Sequence, residues 1–166
     1  GGGKSAFYLA DQLIKSGIYV KIIEKNKARC EELSLLLPKA LIINGDGTES
    51  EMLAEAGIAN ADSLVALTGI DEENIMLTLH AKQVSKAKVI TKVDRLDIDD
   101  IIKRLDLGTL IHPKNITADI IRRYVRALQN SIGSNVETLY KIIENKVEAL
   151  EFKIQSDSPV VGIPLS

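Results

Sequence analysis

Short apolar runs alternate with segments of helical periodicity through most of the chain. The runs are rich in β-branched residues and lie at 18–23, 40–43, 63–67 and 88–93, with a weaker one at 109–111. They are nearly continuous rather than alternating, which is typical of strands buried on both faces of a parallel sheet. The pattern therefore predicts five parallel strands in this part of the chain.

The intervals between the predicted strands carry apolar residues at helical spacing. Helices are predicted over 6–16, 28–37, 49–56, 73–84 and 98–105, and glycine or proline follows the first three as a stop signal. Strands and helices that alternate at such short intervals indicate a Rossmann-like, doubly wound α/β fold. In that fold a strand runs directly into the first glycine, so a chain that opens at Gly1 is expected to lack the central strand of its sheet. Another chain or an altered packing would then have to cover the gap.

The pattern changes after Pro113. A helix is predicted over 116–128, with an apolar stripe on one face and Arg122, Arg123 and Arg126 on the other. This helix either packs on its own sheet or pairs with a copy of itself. Residues 131–134 are predicted as a linker, and 136–143 with 147–154 as a β-hairpin. The predicted division is a Rossmann-type domain at 1–130 and, at 131–166, a linker with the beginning of a small, truncated α+β domain.

Composition narrows the classes of function. With 27% charged residues and a net charge of -2, the chain offers no electrostatic case for nucleic acid or an anionic membrane surface. No apolar run approaches the roughly 20 residues that span a bilayer, and the opening Gly1 to Lys4 is no basic-then-apolar leader. Cys30 is the only cysteine, so we expect no internal disulfide and no cysteine-based metal cluster. A cytoplasmic location is therefore expected.

The first residues carry a glycine motif. Gly1-x-Gly3-x-x-Ala6 fits the dinucleotide-binding fingerprint, in which alanine is permitted at the third place. Gly1 allows a tight turn, Gly3 lets the backbone approach a pyrophosphate, and Ala6 lets helix and sheet pack closely. The phosphates would then lie at the positive end of the helix that begins near Lys4. Three glycines at the start of a chain are also what a cloning remnant leaves.

Glu24 supports the nucleotide interpretation. It ends the first predicted strand and lies 24 − 6 = 18 residues beyond Ala6, near the place where an acid grips the ribose. A carboxylate there accepts both ribose hydroxyls and repels a 2′-phosphate, which favours NAD over NADP. Lys25 and Lys27 weaken that exclusion, and an ordinary charge at a strand end is the alternative interpretation.

Polar loops follow the next two strands. They comprise Asn-Gly-Asp-Gly-Thr at 44–48, Thr68-Gly69, and Asp-Glu-Glu-Asn at 71–74. Ligands bind in open α/β sheets at the carboxyl ends of strands, where these loops converge. For each loop taken alone, a turn with a helix cap is the favoured interpretation, and the case for a ligand rests on their convergence.

Four segments resemble one known family. They are Gly-Gly-Gly-Lys-x-Ala-x-Tyr-Leu-Ala at 1–10, Ile-Ile-Glu-Lys at 22–25, Ile-Asn-Gly-Asp-Gly-Thr at 43–48 and Ala-Asp-Ser-Leu-Val-Ala-Leu-Thr-Gly-x-Asp-Glu-x-Asn at 61–74. They are similar to the TrkA N-terminal family, also called the KTN or RCK (regulator of K⁺ conductance) family, over residues 1–128. Residues 158–165 are similar to the opening of that family's C-terminal domain, TrkA-C, which would be cut off here.

The resemblance implies a non-catalytic regulatory subunit of a Trk-type potassium uptake system. Such a subunit would be cytoplasmic, peripheral to the inner face of the cell membrane, and assembled as homodimers or larger rings beneath a potassium-translocating membrane protein. It would bind NAD(H), ATP or ADP. The residues implied to hold the phosphates are Gly1, Gly3, Lys4, Ser5 and Ala6. Glu24 and Lys25 are implied at the ribose, and Asp46, Gly47 and Thr48 near the adenine. The residues implied at the second half of the ligand are Thr68, Gly69, Asp71 and Asn74. Lys92 is implied to reach a phosphate.

An NAD-dependent oxidoreductase is the rival function. It needs an acid or base near the nicotinamide and a substrate pocket. His112, at a strand end, is better placed than His80 or Cys30, yet a structural role is favoured for each. A structural dimerisation module with a vestigial nucleotide fold is a third class. We expect a sensor without catalytic or metal-binding residues.

Overall fold

The computed structural model describes residues 1–95, 105–130, 136–142, 147–152 and 160–164, together with 154, 156 and 158. It divides into two compact units, Gly1–Pro113 and Lys114–Ser166. The division falls ahead of the helix that follows the fifth strand, whereas the sequence pattern placed it after that helix. The domain bounds 1–130 and 131–166 remain a prediction.

Helices and parallel strands alternate through the first unit, as the sequence pattern predicts. The strands are β1 (Lys21–Glu24), β2 (Leu41–Asn44), β3 (Ser63–Ala66), β4 (Lys88–Lys92) and β5 (Thr109–Ile111). The helices are α1 (Lys4–Lys15), α2 (Lys27–Leu36), α3 (Ser50–Glu55) and α4 (Asp71–Val84), with a short 3-10 turn at Ile58–Asn60. The helix predicted over 98–105 falls almost wholly outside the described residues.

The strands of the first unit form two parallel sheets, separated where the sequence pattern expected the central strand to be missing. β1 pairs with β2, and β3, β4 and β5 pair in that order. Gly1 marks the space between the two sheets, because a Cβ atom built on it would lie 3.5 Å from the Leu67 carbonyl oxygen and 3.8 Å from Glu24 Oε2. The glycine loop therefore lies between the carboxyl ends of β1 and β3. That is where a strand leading into Gly1 was expected.

Two apolar clusters hold the helices on these sheets. One buries Ala10, Ile22, Leu33 and Leu37 and thereby fixes α1 and α2 on β1. The other fixes α3, α4 and the 3-10 turn on β3 and β4, and its buried residues are Leu53, Ile58, Ala66, Leu77, Ala81 and Val89. Burial of a large aliphatic side chain stabilises a fold by about 1.5–3 kcal/mol.

In the part of the second unit that the structure describes, a helix is followed by two antiparallel strands. Helix α5 (Pro113–Asn130) begins with a proline, whose fixed φ and missing N–H suit the first helical position. It is longer than the predicted 116–128 and leaves Ile116, Ile120, Ile121, Tyr124 and Val125 exposed. Strands β6 (Val136–Ile142) and β7 (Val147–Phe152) pair antiparallel, as predicted, while the predicted linker at 131–134 lies outside the described residues. Among the helices that the structure describes, none combines the length and apolarity that crossing a bilayer requires.

Candidate functional site

The glycine loop leads into an open helix N-terminus. Gly3 is the N-cap residue of α1 and has extended backbone, and its carbonyl accepts the Phe7 N–H at 3.0 Å. No side chain caps α1, and its first turn holds no acidic residue. Gly3, Lys4 and Ser5 are exposed, and a Cβ atom on Gly3 would meet nothing within 4 Å. The partial positive charge of the helix end therefore faces open space, an arrangement that favours an anion.

Glu24 joins the glycine loop to the start of α2. Its Oε2 accepts the Gly2 N–H at 2.5 Å, and its Oε1 accepts the Asn26 N–H at 2.7 Å. Burial raises the pKa of Glu24, but these two hydrogen bonds, with the nearby Arg29 guanidinium, outweigh it and hold the pKa below its ordinary value. The carboxylate is therefore ionised at neutral pH and lies directly beside the glycine loop.

Gly2 donates its N–H to Glu24, although the motif Gly1-x-Gly3-x-x-Ala6 allows any residue at this position. A Cβ atom on Gly2 would collide with the Leu33 side chain and lie 3.2 Å from Glu24 Oε2. Only glycine lets the loop approach α2 this closely. The run of three consecutive glycines was the one sequence signal that could have identified it.

Helix α2 supports the site through hydrogen bonds to main-chain carbonyls, and no sequence pattern indicates these contacts. Arg29 Nε donates to the Gly2 carbonyl at 2.8 Å, and Cys30 Sγ donates to the Glu24 carbonyl at 3.1 Å. Asn44 Nδ2, at the end of β2, donates to the carbonyls of Glu24 and Lys25 at 3.0 and 3.1 Å. These contacts fix the backbone of both the glycine loop and the β1 end, while the Lys25 side chain is exposed.

The loop that follows β2 lies next to the end of β1. The sheet register places Glu24 beside Asn44, and the Gly45 N–H donates to the Glu24 carbonyl at 3.0 Å. Asp46 Oδ1 accepts the Thr48 N–H at 2.9 Å and the Thr48 hydroxyl at 2.7 Å, and these bonds lower the pKa of Asp46. Gly47 packs near Ile23, with a Cβ atom there 3.7 Å from Ile23 Cγ2. The loop is thus held in shape by its own side chains, next to Glu24.

Asn74 holds the loop that follows β3. It is fully buried, and its Oδ1 accepts the Thr68 N–H at 2.7 Å. Its Nδ2 donates to the carbonyls of Thr68 at 3.3 Å and Lys92 at 3.1 Å. Both amide hydrogens are thereby used within the protein, and a ligand contact by Asn74 remains a prediction. Gly69, at the tip of the loop, has nothing within 4 Å of a built Cβ atom and faces open space.

Asp71 and Lys92 also have partners within the protein. Both Asp71 oxygens accept backbone N–H groups at 2.9 Å, one from Asp94 and one from Arg95. Lys92 Nζ lies 2.9 Å from Asp94 Oδ2, and its side chain is 13% exposed. The start of α4 is thus tied to the segment after β4. A ligand contact by Asp71 or Lys92 remains a prediction. Either side chain would have to make that contact in addition to the bonds it already forms within the protein.

The glycine loop, Glu24 and the start of α2 form one closely linked group, and the loops that follow β2 and β3 lie next to it. Gly1 lies close to both sides of the group, since a Cβ atom on it would lie 3.6 Å from Thr68 Cα and 3.8 Å from Glu24 Oε2.

The two histidines lie in the described part of the chain. His112 Nδ1 is 3.0 Å from the Val93 carbonyl oxygen, and His80 lies half-buried in α4. Within the described part of the chain, no three His, Cys, Asp or Glu side chains gather as a metal site would require.

Asp71 gives a testable dependence of stability on pH. Although burial raises its pKa, the N–H groups of Asp94 and Arg95 and the charges of Arg95 and Lys92 hold it below the ordinary value. A lowered folded-state pKa adds stability that is present above the unfolded pKa of about 3.9 and is lost as pH falls through the folded one. In urea unfolding, the stability of the unsubstituted protein should therefore fall more steeply below about pH 4 than that of Asp71→Asn. The exposed Asp62→Asn is the matched control, and equal slopes for all three proteins would contradict the assignment.

The chain matches a known family model and a named relative. The model of the TrkA-N domain matches residues 1–113. Trk system potassium uptake protein TrkA homolog 2 of Methanosarcina mazei is 35% identical over 167 residues, which cover 100% of this chain and 36% of that protein. The chain therefore spans little more than a third of the length of that relative.

Solved structures share the fold. The TrkA-N domain of the inner membrane protein ybaL from Escherichia coli aligns with a TM-score of 0.66 and 18% identity, covering 73% of this chain and 89% of that one. The GsuK channel bound to NAD aligns with a TM-score of 0.56 and 18% identity, covering 82% of this chain and 23% of the channel chain. GsuK bound to ADP aligns at 0.51 and 18%, covering 63% and 27%. At these identities the likeness establishes a Rossmann-like α/β fold.

Proposed function

The chain belongs to the TrkA-N domain family, and we propose that it is a nucleotide-sensing regulatory domain of a potassium transport system. Its ligand is NAD(H), or alternatively ADP or ATP. It acts from the cytoplasmic side, as a homodimer or larger ring, on a membrane subunit that moves potassium. The relative's name, a Trk system potassium uptake protein, supports the transport role, and the GsuK structures with NAD and ADP support the ligand class.

The single observation that carries the proposal is the ionised Glu24 carboxylate beside an uncapped helix N-terminus. An ionised carboxylate has about four lone-pair positions, and Gly2 and Asn26 use one on each oxygen. The remaining positions suit the two hydroxyls of a ribose. The exposed start of α1 suits the phosphates that follow the ribose in NAD or ADP.

The contacts of His112 and Cys30 favour a regulatory role over that of an oxidoreductase. These two side chains were the candidates for acid–base chemistry. The His112 ring already contacts the Val93 carbonyl, and the Cys30 thiol donates to the Glu24 carbonyl from within the core. Both contacts support a structural role for these side chains. A sensor instead transmits binding by preferring one of two arrangements of its assembly.

The proposal is tested by ligand identification, turnover and scattering on the natively purified protein. Mass spectrometry should find NAD(H) or an adenine nucleotide that co-purifies, and NADH should not be oxidised with a panel of carbonyl substrates. Solution scattering should differ between the nucleotide-free and the saturated protein. Turnover would establish the oxidoreductase instead. Identical scattering curves at saturation would remove the signalling role while leaving the binding site.

A further inference from the structure

The peptide group between Gly2 and Gly3 is held from behind by one side chain. Arg29 Nε donates to the Gly2 carbonyl at 2.8 Å. The guanidinium is itself fixed, because its NH1 lies 2.6 Å from Glu32 Oε2 and its side chain is only 25% exposed. Arg29 therefore approaches the loop from α2 as an ordered donor.

This bond sets the direction of the next amide group. The described peptide bonds are trans, and in a trans peptide the carbonyl and the following N–H point in opposite directions. The Gly3 N–H thus points away from Arg29 and α2. A Cβ atom on Gly3 would meet nothing within 4 Å, and among the described residues no group accepts this N–H. An oriented amide donor and the open start of α1 then lie next to each other.

We infer that Arg29 is a positioning residue for a ligand diphosphate, which it orders by aiming the Gly3 amide at the phosphate oxygens. This inference rests on the proposed function and adds the group that prepares its anion site. Arg29 lies behind the loop and acts through the Gly2 carbonyl, without touching the ligand. A ligand that lacks phosphate gains nothing from this arrangement, whereas one with a diphosphate gains a hydrogen bond that is already oriented.

The test compares ADP with adenosine on the ¹⁵N-labelled protein, with affinities taken from amide shifts during titration. In Arg29→Met the affinity for ADP should fall about tenfold, which corresponds to one hydrogen bond to a charged group. The affinity for adenosine should stay within about twofold, because ribose and base do not use the Gly3 amide. The Gly3 amide resonance should also shift in the ligand-free variant, since its peptide group is no longer held.

Lys39→Met is the matched control, since it removes the same charge from an exposed position just beyond the end of the same helix. It should leave the ratio of the two affinities unchanged. Arg29→Lys serves as a second variant if Arg29→Met does not fold, because it keeps the charge and loses the planar Nε–H. It should still lower the affinity for ADP selectively.

Each other result overturns the inference. Equal losses for ADP and adenosine would reduce Arg29 to a general contribution to stability. Unchanged ADP affinity in both Arg29 variants would show that the Gly3 amide needs no such support. If the unsubstituted protein binds neither ADP nor NADH, the proposed function fails together with the inference, whereas ADP binding without a selective effect of the Arg29 variants removes only the inference.

Discussion

Glu24→Gln should lower the affinity for NADH by about tenfold or more and narrow the preference for NADH over NADPH. The carboxylate is ionised, and a hydrogen bond to a charged group contributes about 1.5–3 kcal/mol. The amide keeps one acceptor oxygen but offers fewer lone pairs to the ribose hydroxyls. It also no longer repels a 2′-phosphate, so NADPH should lose less affinity than NADH. Calorimetric titration with both dinucleotides measures the ratio directly.

The choice of glutamine matters because Glu24 also contributes to the fold. Its two oxygens accept N–H groups from Gly2 and Asn26, so Glu24→Ala would leave both donors unpaired as well as weakening NAD binding at least several-fold. Glu31→Gln removes the same charge from an exposed position on α2 and should not change either affinity. An unchanged NADH affinity in Glu24→Gln would remove Glu24 from the ligand site.

The regular elements of the first unit could be predicted because their signals are local. β-branched runs and glycine or proline stops located the strands to within about three residues, since buried parallel strands need continuous apolar sequence. The sheet is divided because no strand among the described residues lies between β1 and β3, which is the gap that the sequence pattern expected for a chain that opens at Gly1. The structure leaves β1 and β3 unpaired with each other and places Gly1 between their ends.

The candidate site was predictable in part for the same reason. Glu24 and the glycine loop occupy fixed places in a spacing rule, so the sequence indicates both. Arg29 and Cys30 act through main-chain carbonyls that lie 27 and 6 residues away along the chain, and no spacing rule records such contacts. Asp71 and Asn74 were implied at the ligand by the family resemblance. Their side chains bond to backbone groups inside the protein, contacts that no motif or loop position discloses, and their contact with a ligand stays a prediction.

Asn74 gives the largest expected effect on stability. Asn74→Leu fills a similar volume but removes every bond that the amide makes, and it leaves the Thr68 N–H and the carbonyls of Thr68 and Lys92 without this partner. Unpaired buried polar groups cost about 1–3 kcal/mol each. We therefore expect the free energy of unfolding to fall by about 3 kcal/mol or more in urea titration.

Thr78→Val is the matched control for that substitution, because Thr78 is also fully buried and lies one turn further along α4. Thr91 Oγ1 donates to the Leu107 carbonyl, so the Thr78 hydroxyl is the donor in its 2.6 Å bond to Thr91. Losing this one bond should cost only about 1 kcal/mol. Hydrogen exchange at the Thr68 amide should accelerate in Asn74→Leu beyond its global loss of stability, because the loop after β3 loses its anchor. Equal costs for the two variants, with the Thr68 amide still protected, would show that the loop holds its shape without Asn74.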